Sequence, residues 1–420
     1  MKKIYILFYL LIYLGKSNAQ IFTIFPDACT DTSRIRIGAA TDCFANANAL
    51  TADFISTFYK GGYIDIDLKD KVLARTKNSN RIGAELNSGV FAAFRLDSFC
   101  HKPGFSLFFS LRDRQHFDMH YRKDFYKVGF YGNAAYAGQV ANFSDFSLNL
   151  IRYQQFQIGL FCSQLDSNAR WGISLSLLKG EQYRSILAKK TELFTSADGQ
   201  YLTFQTEMEM AESDPSRKGL STMNGVGVSM DIYFQAPFQT KLGETKVEAS
   251  ISDIGMIRFS ESSIFRKQDS TFRYEGLRIN SIFDIQDSTF LKTSQDSILS
   301  HILPPSKRSV SATLPSTFNL SMQTKLSEHF YLTEGIHYIF NANYKLLAYV
   351  KADVHFNKRF LISATVGYGG YAELNGGVGL GLNAGKGFSF YTGTTNLEGF
   401  IVPSKVAGRA AYFSIIKNFN

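Results

Sequence analysis

The sequence predicts an all-β protein, an antiparallel transmembrane β-barrel of about 14 strands (12–16) with a small N-terminal plug or lead-in segment. Three observations predict this class. Apolar and polar residues alternate with period two over runs of about ten residues, as strands with unlike faces require. Aromatic residues make up 15% of the chain, with 38 Phe and 22 Tyr against 8 Pro. Mean hydropathy is −0.09 although 45% of residues are hydrophobic, because the two kinds of residue are interleaved.

The N-terminus predicts export. Two lysines follow Met1, an apolar run covers Ile4 to Leu14, and Ala19 is a small residue at the expected cleavage point. This order is typical of a signal peptide over residues 1–19, and the run is shorter than the ~18–20 apolar residues that span a bilayer. Residues 20–60 are predicted to form a plug or a periplasmic lead-in, two interpretations that the sequence leaves open.

The barrel is assigned to residues 61–420, beginning with the alternation of Tyr63–Leu68. Breaks in the alternation predict long loops near 112–143 and 260–316. A final strand that runs inward places both loops outside the cell. Short turns at 326–328, 356–359 and 383–387 then fall in the periplasm, which is the asymmetry expected of such barrels.

The second face of the strands separates a membrane barrel from a soluble sandwich. A sandwich exposes a charged face, whereas here residues 225–231, 361–369 and 375–383 carry Gly, Ser, Asn and Thr with few charges. Small side chains suit the wall of a lumen, and the Phe, Leu, Val and Tyr of the other face suit lipid. We therefore expect a lumen lined mainly by small, uncharged residues.

Seven short motifs are spread over most of the mature chain. They are Asn80–Gly83, Phe130–Asn133, Gly172–Gly180, Asn224–Asp231, Ile251–Gly255, Tyr368–Tyr371 and the final aromatic residue Phe419. In their order and spacing they resemble a family of Gram-negative (Bacteroidota-type) outer-membrane β-barrels of unknown function. The chain is more distantly similar to fatty-acid-transporter-type barrels and to outer-membrane components of gliding and secretion machinery. The resemblance implies a barrel of about 14 strands with no established ligand.

Two charged positions interrupt otherwise apolar strands. Asp253-Ile254-Gly255 switches the parity of the strand at 247–259, which indicates a bulge or kink. In fatty-acid-transporter barrels a strand kink opens a lateral exit, so the resemblance implies a lateral opening at Asp253 and Gly255. Glu334 lies on the apolar face of 330–340, where a carboxylate in lipid is costly, and predicts a register shift or a position near the membrane surface.

Few residues suggest chemistry. Cys29 and Cys43 are close enough in sequence for a disulfide in an exported protein, and the sequence leaves that pairing open. His116 and His120 would share a helix face, but without a third ligand we interpret them as part of a solvated loop. Nothing in the sequence places His337 beside Ser363 as a hydrolase would require. We predict no catalytic residues, no cofactor and no metal site.

Two functions remain open. The net charge of +9 is dispersed rather than concentrated in one patch, which argues against nucleic acid as a partner and suits lipid head groups. The first hypothesis is an outer-membrane channel or transporter for small apolar or amphipathic solutes, occluded by residues 20–60. The alternative is a non-transporting outer-membrane scaffold of a Gram-negative bacterium, which binds partner proteins through its loops.

Overall fold

The computed structural model describes residues 33–163, 169–217, 219–275, 304–357, 359–406 and 408–419. The described strands are β1 (Ile35–Ala47), β2 (Asn80–Arg95), β3 (Phe105–Tyr121), β4 (Gln139–Asn142), β5 (Phe146–Ser163), β6 (Arg170–Thr195), β7 (Leu202–Glu212), β8 (Gly225–Thr240), β9 (Gly243–Phe259), β10 (Ile264–Tyr274), β11 (Ser306–Lys307), β12 (Val310–Thr313), β13 (Thr317–Lys325), β14 (Phe330–Ile339), β15 (Lys345–His355), β16 (Phe360–Gly370), β17 (Glu373–Gly385), β18 (Phe388–Thr394) and β19 (Gly408–Phe419). The helices are α1 (Ala52–Tyr59), α2 (Ile66–Arg75), α3 (Lys123–Tyr131) and α4 (Glu398–Ile401), with a 3₁₀ turn at Ala134–Tyr136. Within these ranges, no helix is long and apolar enough to cross a membrane.

Fourteen of these strands close into one antiparallel ring, which confirms the predicted class and strand number. The ring runs in the order β1, β2, β3, β5, β6, β8, β9, β13, β14, β15, β16, β17, β18 and β19. Pairing of β19 with β1, from Ile35 opposite Phe419 to Asn46 opposite Gly408, closes it. Closure pairs the backbone N–H and C=O groups of both terminal strands, as a hydrocarbon environment demands.

The two faces of the ring differ as the alternation predicts. Outward side chains are large and apolar, and Leu177, Val366 and Leu374 are each more than 60% exposed. Inward side chains such as Ser176 and Ser363 are buried. A band of exposed aliphatic and aromatic residues around a closed ring is the surface of a protein that spans a bilayer.

The connections divide the barrel into two ends. Short turns at 96–104, 241–242, 326–329, 356–359 and 386–387 lie at the end that holds the N-terminus of β1, here called the turn end. The opposite end, called the loop end, carries longer connections, including 48–79, 122–145, 196–224, 260–316 and 395–407. The loop end also holds two short connections, 340–344 and 371–372, so the predicted sorting of long loops from short turns is found along most of the ring.

The predicted boundary between an N-terminal segment and the barrel is wrong. Residues 35–47 lie in the stretch assigned to a plug, yet they form β1 and close the ring. The strand was missed because its faces differ little: small residues such as Gly38, Ala39 and Ala40 occupy both sides. The predicted signal peptide, at residues 1–19, lies outside the described residues.

Two further segments differ from their predicted structure. Tyr63–Leu68 alternates as a strand would, but Asp65 caps α2 by accepting from the N–H of Leu68 at 2.8 Å. The predicted loop near 112–143 begins inside β3, which continues to Tyr121. Charged residues at alternate positions of β3 point into the lumen, and this charge made the segment look like a solvated loop.

Part of the sheet projects beyond the ring at the loop end. β6 has 26 residues, of which Arg170–Gly180 pair with β8 in the barrel. Arg184–Thr195 of β6 pair with β7, and β7 pairs with β10 along its full length. We call this three-stranded extension the projecting sheet.

A small helical cluster covers another part of the loop end. Phe54 of α1 contacts Phe130 of α3 with ring centroids 5.2 Å apart, and Val72 of α2 is buried beside them. The hydroxyl of Tyr126 donates to the carbonyl of Lys69 at 3.1 Å, which ties α3 to α2. These contacts fix the segments that flank the mouth of the lumen.

Candidate functional site

The lumen near the turn end is filled by apolar side chains. Ring centroids of Phe108 lie 6.1 Å from Phe91 and 5.5 Å from Phe161. This aromatic floor consists of Phe91, Ala93, Phe108, Phe161, Tyr233, Leu361, Tyr391 and Ile416, all buried. Because protein interiors pack without gaps for water, the floor blocks free passage in this conformation.

Above the floor, charged and amide side chains cross the lumen. Nη1 of Arg114 lies 2.8 Å from Oδ2 of Asp253. Nε2 of Gln155 donates to Oδ1 of the same carboxylate at 3.1 Å, and Gln157 donates to Asp231. The backbone N–H of Asp253 also donates to Asp231 at 2.7 Å. This charged layer corrects the expectation of a lumen with few charges.

Two further carboxylates of this layer lie on β1 and β2, beside the strand that carries Arg114. Nδ2 of Asn87 lies 3.0 Å from Oδ2 of Asp42 and 3.3 Å from Oε2 of Glu85. Nδ1 of His116 lies 2.7 Å from Oε1 of Glu85. Because both acids share one amide N–H₂, we call Asp42 and Glu85 the acid pair.

The loop end of the lumen is closed by a turn that reaches across it. The backbone N–H of Asn343, between β14 and β15, donates to Oδ2 of Asp118 on β3. Nδ2 of Asn343 also donates to that oxygen at 2.8 Å and to the hydroxyl of Ser147 on β5 at 3.0 Å. β3 and β5 lie on the opposite side of the ring, so residues 340–344, the mouth turn, bridge the opening.

Tyr371 completes the closure beside the mouth turn. It is 2% exposed, and its ring lies 5.0 Å from Tyr344 and 6.0 Å from Phe44 between centroids. Nε of Arg81 donates to the carbonyl of Gly370 at 2.7 Å and fixes the turn that holds this tyrosine. Burial raises the pKa of the Tyr371 phenol well above its ordinary value, so the hydroxyl stays protonated.

A cavity of about 220 Å³ remains between the floor and the mouth turn. Its wall includes both members of the acid pair, Asp253, Tyr344 and Tyr371. The volume is below the ~300–1,000 Å³ of pockets that take drug-sized ligands, which limits an occupant to a small molecule. The cavity combines charged groups on one side with aromatic rings on the other.

Of the two predicted kink residues, Asp253 lies in the wall of this cavity. Asp253 has a left-handed φ of 60°, and pairing of β8 with β9 shifts register between Met230 and Ile232. On the other side of β9, β12 and β13 are separated, and the N–H of Leu314 donates to the carbonyl of Gly255 at 3.0 Å. A side chain at position 255 would place Cβ 2.2 Å from the carbonyl oxygen of Val228, so the glycine permits close strand contact.

The other candidate residues are separated in space or fall outside the description. Cys43 lies within β1, whereas Cys29 is outside the described residues, so their disulfide stays a prediction. His116 faces the lumen beside Glu85, whereas His120 contacts the hydroxyl of Ser79 at 2.8 Å. Both histidines lie on β3, and the predicted solvated loop there is wrong.

The possible hydrolase residues have different partners. Nδ1 of His337 lies 2.6 Å from Oδ1 of Asn319, whereas the hydroxyl of Ser363 donates to Oδ1 of Asp353 at 2.5 Å. The structure therefore does not assemble these two side chains into a nucleophile and base.

Sequence reasoning missed the residues that define the cavity. Arg112, Arg114, His116 and Asp118 occupy every second position of β3, and all four are buried. Period-two spacing of these polar residues was the available signal, because strand side chains at alternate positions share a face. The contacts of Asn343 had no such signal, since they join residues 225 positions apart.

Comparisons with known proteins give one family and several loosely similar barrels. A model described as a family of unknown function (DUF5723) matches residues 34–395. The solved P. putida toluene transporter TodX is similar at 8% identity and a TM-score of 0.46, covering 94% of this chain and 92% of its own. The Ralstonia pickettii toluene transporter TbuX is similar at 8% identity and a TM-score of 0.43, covering 92% and 90%.

A third solved barrel belongs to a different kind of protein. The translocator domain of the autotransporter NalP from Neisseria meningitidis is similar at 9% identity and a TM-score of 0.37, covering 93% of this chain and 90% of its own. No curated protein matches the sequence. The strand pairing described above, rather than these likenesses, establishes the barrel.

Proposed function

The chain belongs to the family of unknown function DUF5723, and we propose that it is a gated channel or transporter for small amphipathic solutes in the outer membrane of a Gram-negative bacterium. The observation that carries this proposal is the cavity of about 220 Å³ held between the aromatic floor and the mouth turn. Charged groups on one side and aromatic rings on the other suit a solute with one polar end. Lipid would surround the apolar outer face of the ring.

The same observation makes the proposed channel a gated one. Phe108 of the floor is fully buried, and Asn343 reaches across the mouth to Asp118. A solute can pass only when both closures move. Within the predicted plug segment, residues 35–47 form β1, and closure of the mouth comes from residues 340–344.

A lateral opening at Asp253 and Gly255 remains part of the proposal. The interruption between β12 and β13 supports it, because this part of the wall lacks regular ladder bonds on one side. The hydroxyl of Ser316 donates to the carbonyl of Asp253 at 2.8 Å and holds the interruption closed. Breaking such a bridge costs less than separating a continuous ladder.

Conductance of the purified protein in planar lipid bilayers tests the proposal. Asp118→Ala removes the acceptor of the mouth turn, and we expect it to open the channel more often than the parent protein. Asp67→Ala is the matched control, because Asp67 is an exposed acid on α2 at the same end. A bilayer that stays silent with parent, Asp118→Ala and Asp67→Ala proteins alike would remove the transport proposal.

The projecting sheet favours a second candidate, a surface scaffold that binds a partner protein. β7 carries Glu207 and Glu209, whose carboxylates lie 3.6 Å from Nζ of Lys189 and 2.5 Å from Nζ of Lys267. A rigid, charged sheet beyond the ring serves recognition better than permeation. A photo-cross-linker at position 207 that captures one defined partner, together with silent bilayers, would support this function over transport.

A further inference from the structure

The acid pair in the cavity wall holds more negative charge than its surroundings neutralise. Of the two arginines at this level, Arg114 pairs with Asp253 at 2.8 Å and Arg112 interacts electrostatically with Asp231. Arg114 also interacts electrostatically with Asp42 and Glu85, so two arginines serve four carboxylates at this level. Buried carboxylates are stable in proteins when a cation or several donors compensate them.

In the described residues, the hydrogen-bond partners of the acid pair are one amide and one histidine. Asn87 provides one amide nitrogen to both carboxylates, and His116 contacts Glu85. Asp118, a fifth carboxylate of the lumen, lies 4.0 Å from Nε2 of His116 and adds negative charge nearby. The remaining arginine of the cavity wall, Arg36, is at the turn end, opposite Asn418.

A second observation at the same cavity concerns the hydroxyl of Tyr371. It is one of the buried polar atoms for which the described residues provide no hydrogen-bond partner. Tyr371 lines the cavity together with the acid pair, and leaving a buried hydroxyl unpaired is destabilising. A bound molecule with an N–H group would supply the missing donor.

The aromatic side of the cavity adds a preference for organic cations. Phe44, Tyr344 and Tyr371 lie next to one another, with centroid distances of 6.0 Å and 5.0 Å on either side of Tyr371. Ring faces attract ammonium groups, and the attraction is stronger where the contact is buried. An inorganic cation would use the carboxylates but gain little from this wall.

We propose that the lumenal cavity binds a small organic cation, a protonated amine with an apolar group. Its ammonium lies between Asp42 and Glu85, the Tyr371 hydroxyl accepts one N–H, and the apolar group packs against Phe44 and Tyr344. This inference rests on the proposed function, since it names the solute class of the same cavity. Opening of the mouth turn admits the cation, and the charged layer selects it against anions.

Calorimetric titration of the full-length protein in detergent micelles tests the inference with three matched probes. They are 2-phenylethylammonium, 2-phenylethanol and phenylacetate, which share one ring and differ in the charge of the end group. We expect the ammonium compound to bind at least tenfold more tightly than the alcohol and phenylacetate not to bind. Magnesium chloride at equal ionic strength should not displace the ammonium compound.

Variants locate the site. Glu85→Gln and Asp42→Asn should each lower the affinity for the ammonium compound by about tenfold, the loss that corresponds to ~1.4 kcal/mol. Tyr371→Phe keeps the ring, removes the hydroxyl and should lower the affinity severalfold. Glu207→Gln on the projecting sheet is the control with unchanged affinity. If Glu85→Gln fails to fold, Asp42→Asn and Tyr371→Phe still test the site.

The outcomes separate the inference from the proposed function. The organic-cation site would be overturned by equal binding of the ammonium compound and the alcohol, by tighter binding of phenylacetate, or by displacement with magnesium. In each of these cases the transport proposal would still stand if the Asp118→Ala channel conducts. Silent bilayers with every variant would overturn transport itself. Selective ammonium binding that depends on Asp42 supports the inference.

Discussion

Asn343 donates both its backbone N–H and its side-chain amide to a single oxygen of Asp118, from the opposite side of the barrel. This pair connects the mouth turn to β3 across the mouth of the lumen. Its strength therefore sets how often the mouth opens, because charge-assisted hydrogen bonds are stronger than neutral ones.

Substitutions at these two residues should be non-additive. Asp118→Ala removes the acceptor of both bonds, whereas Asn343→Ala removes only the side-chain donor, so the double variant should open hardly more often than Asp118→Ala alone. We expect a coupling energy of about 0.5–3 kcal/mol in a double-mutant cycle on open probability. Additive effects in bilayer recordings would mean that the two residues act separately.

Loss of the Arg114–Asp253 ion pair should destabilise the barrel. Asp253→Asn retains a residue that tolerates the φ of 60° but leaves the buried guanidinium without its counter-ion, at a cost of about 3–5 kcal/mol. Urea unfolding from lipid vesicles measures the change. The double variant Arg114→Leu/Asp253→Asn should recover much of the loss, and failure to recover would show that the pair is not the source.

Glu334→Leu should stabilise the barrel in lipid. Glu334 is exposed in the middle of β14, opposite Met322 and Val350, and the ladders on both sides are continuous there. The predicted register shift is therefore wrong, and the carboxylate lies on the outer face. We expect a gain of about 1 kcal/mol. Glu328→Leu in the exposed turn is the control, and an equal gain there would assign the effect to general hydrophobicity.

Gly83→Ala should disturb the mouth. A Cβ at position 83 would lie 2.0 Å from the Tyr371 ring, so the ring must move at a cost of about 1–3 kcal/mol. Thermal unfolding and conductance should both change. Gly129→Ala on α3 meets no heavy atom within 4 Å and should be neutral or slightly stabilising. Identical behaviour of the two variants would contradict the close contact.

The alternation of the strands predicted the class and strand number because a membrane barrel repeats one rule at every strand. In β16, outward Val366 and Tyr368 alternate with inward Thr365 and Gly367, and both sets are legible in the sequence. Sequence reasoning missed β1 because its small residues are alike on both faces. It predicted a strand at the start of α2 because Asp65 begins that helix inside an alternating run.

The cavity was less predictable, for a physical reason. Lumenal partners such as Arg114 and Asp253 belong to strands far apart in the chain, and ring closure brings them together. The positions of charges on β3 were visible, but their partners depend on strand register. Asn343 looked like an ordinary turn residue, because the turn's path across the mouth is a tertiary feature.

The wall of the barrel around the mouth is higher on the side of β6 than on the side of β17. The 26 residues of β6 extend roughly 85 Å at about 3.3 Å per residue, whereas β17, on the opposite side of the ring, has 13 residues and follows a turn of two residues at 371–372. A large particle that approaches the loop end meets the projecting sheet on one side and a low rim on the other. Small molecules reach the mouth from either side. The projecting sheet therefore hinders the approach of particles according to their size, before the side chains of the lumen contact a solute.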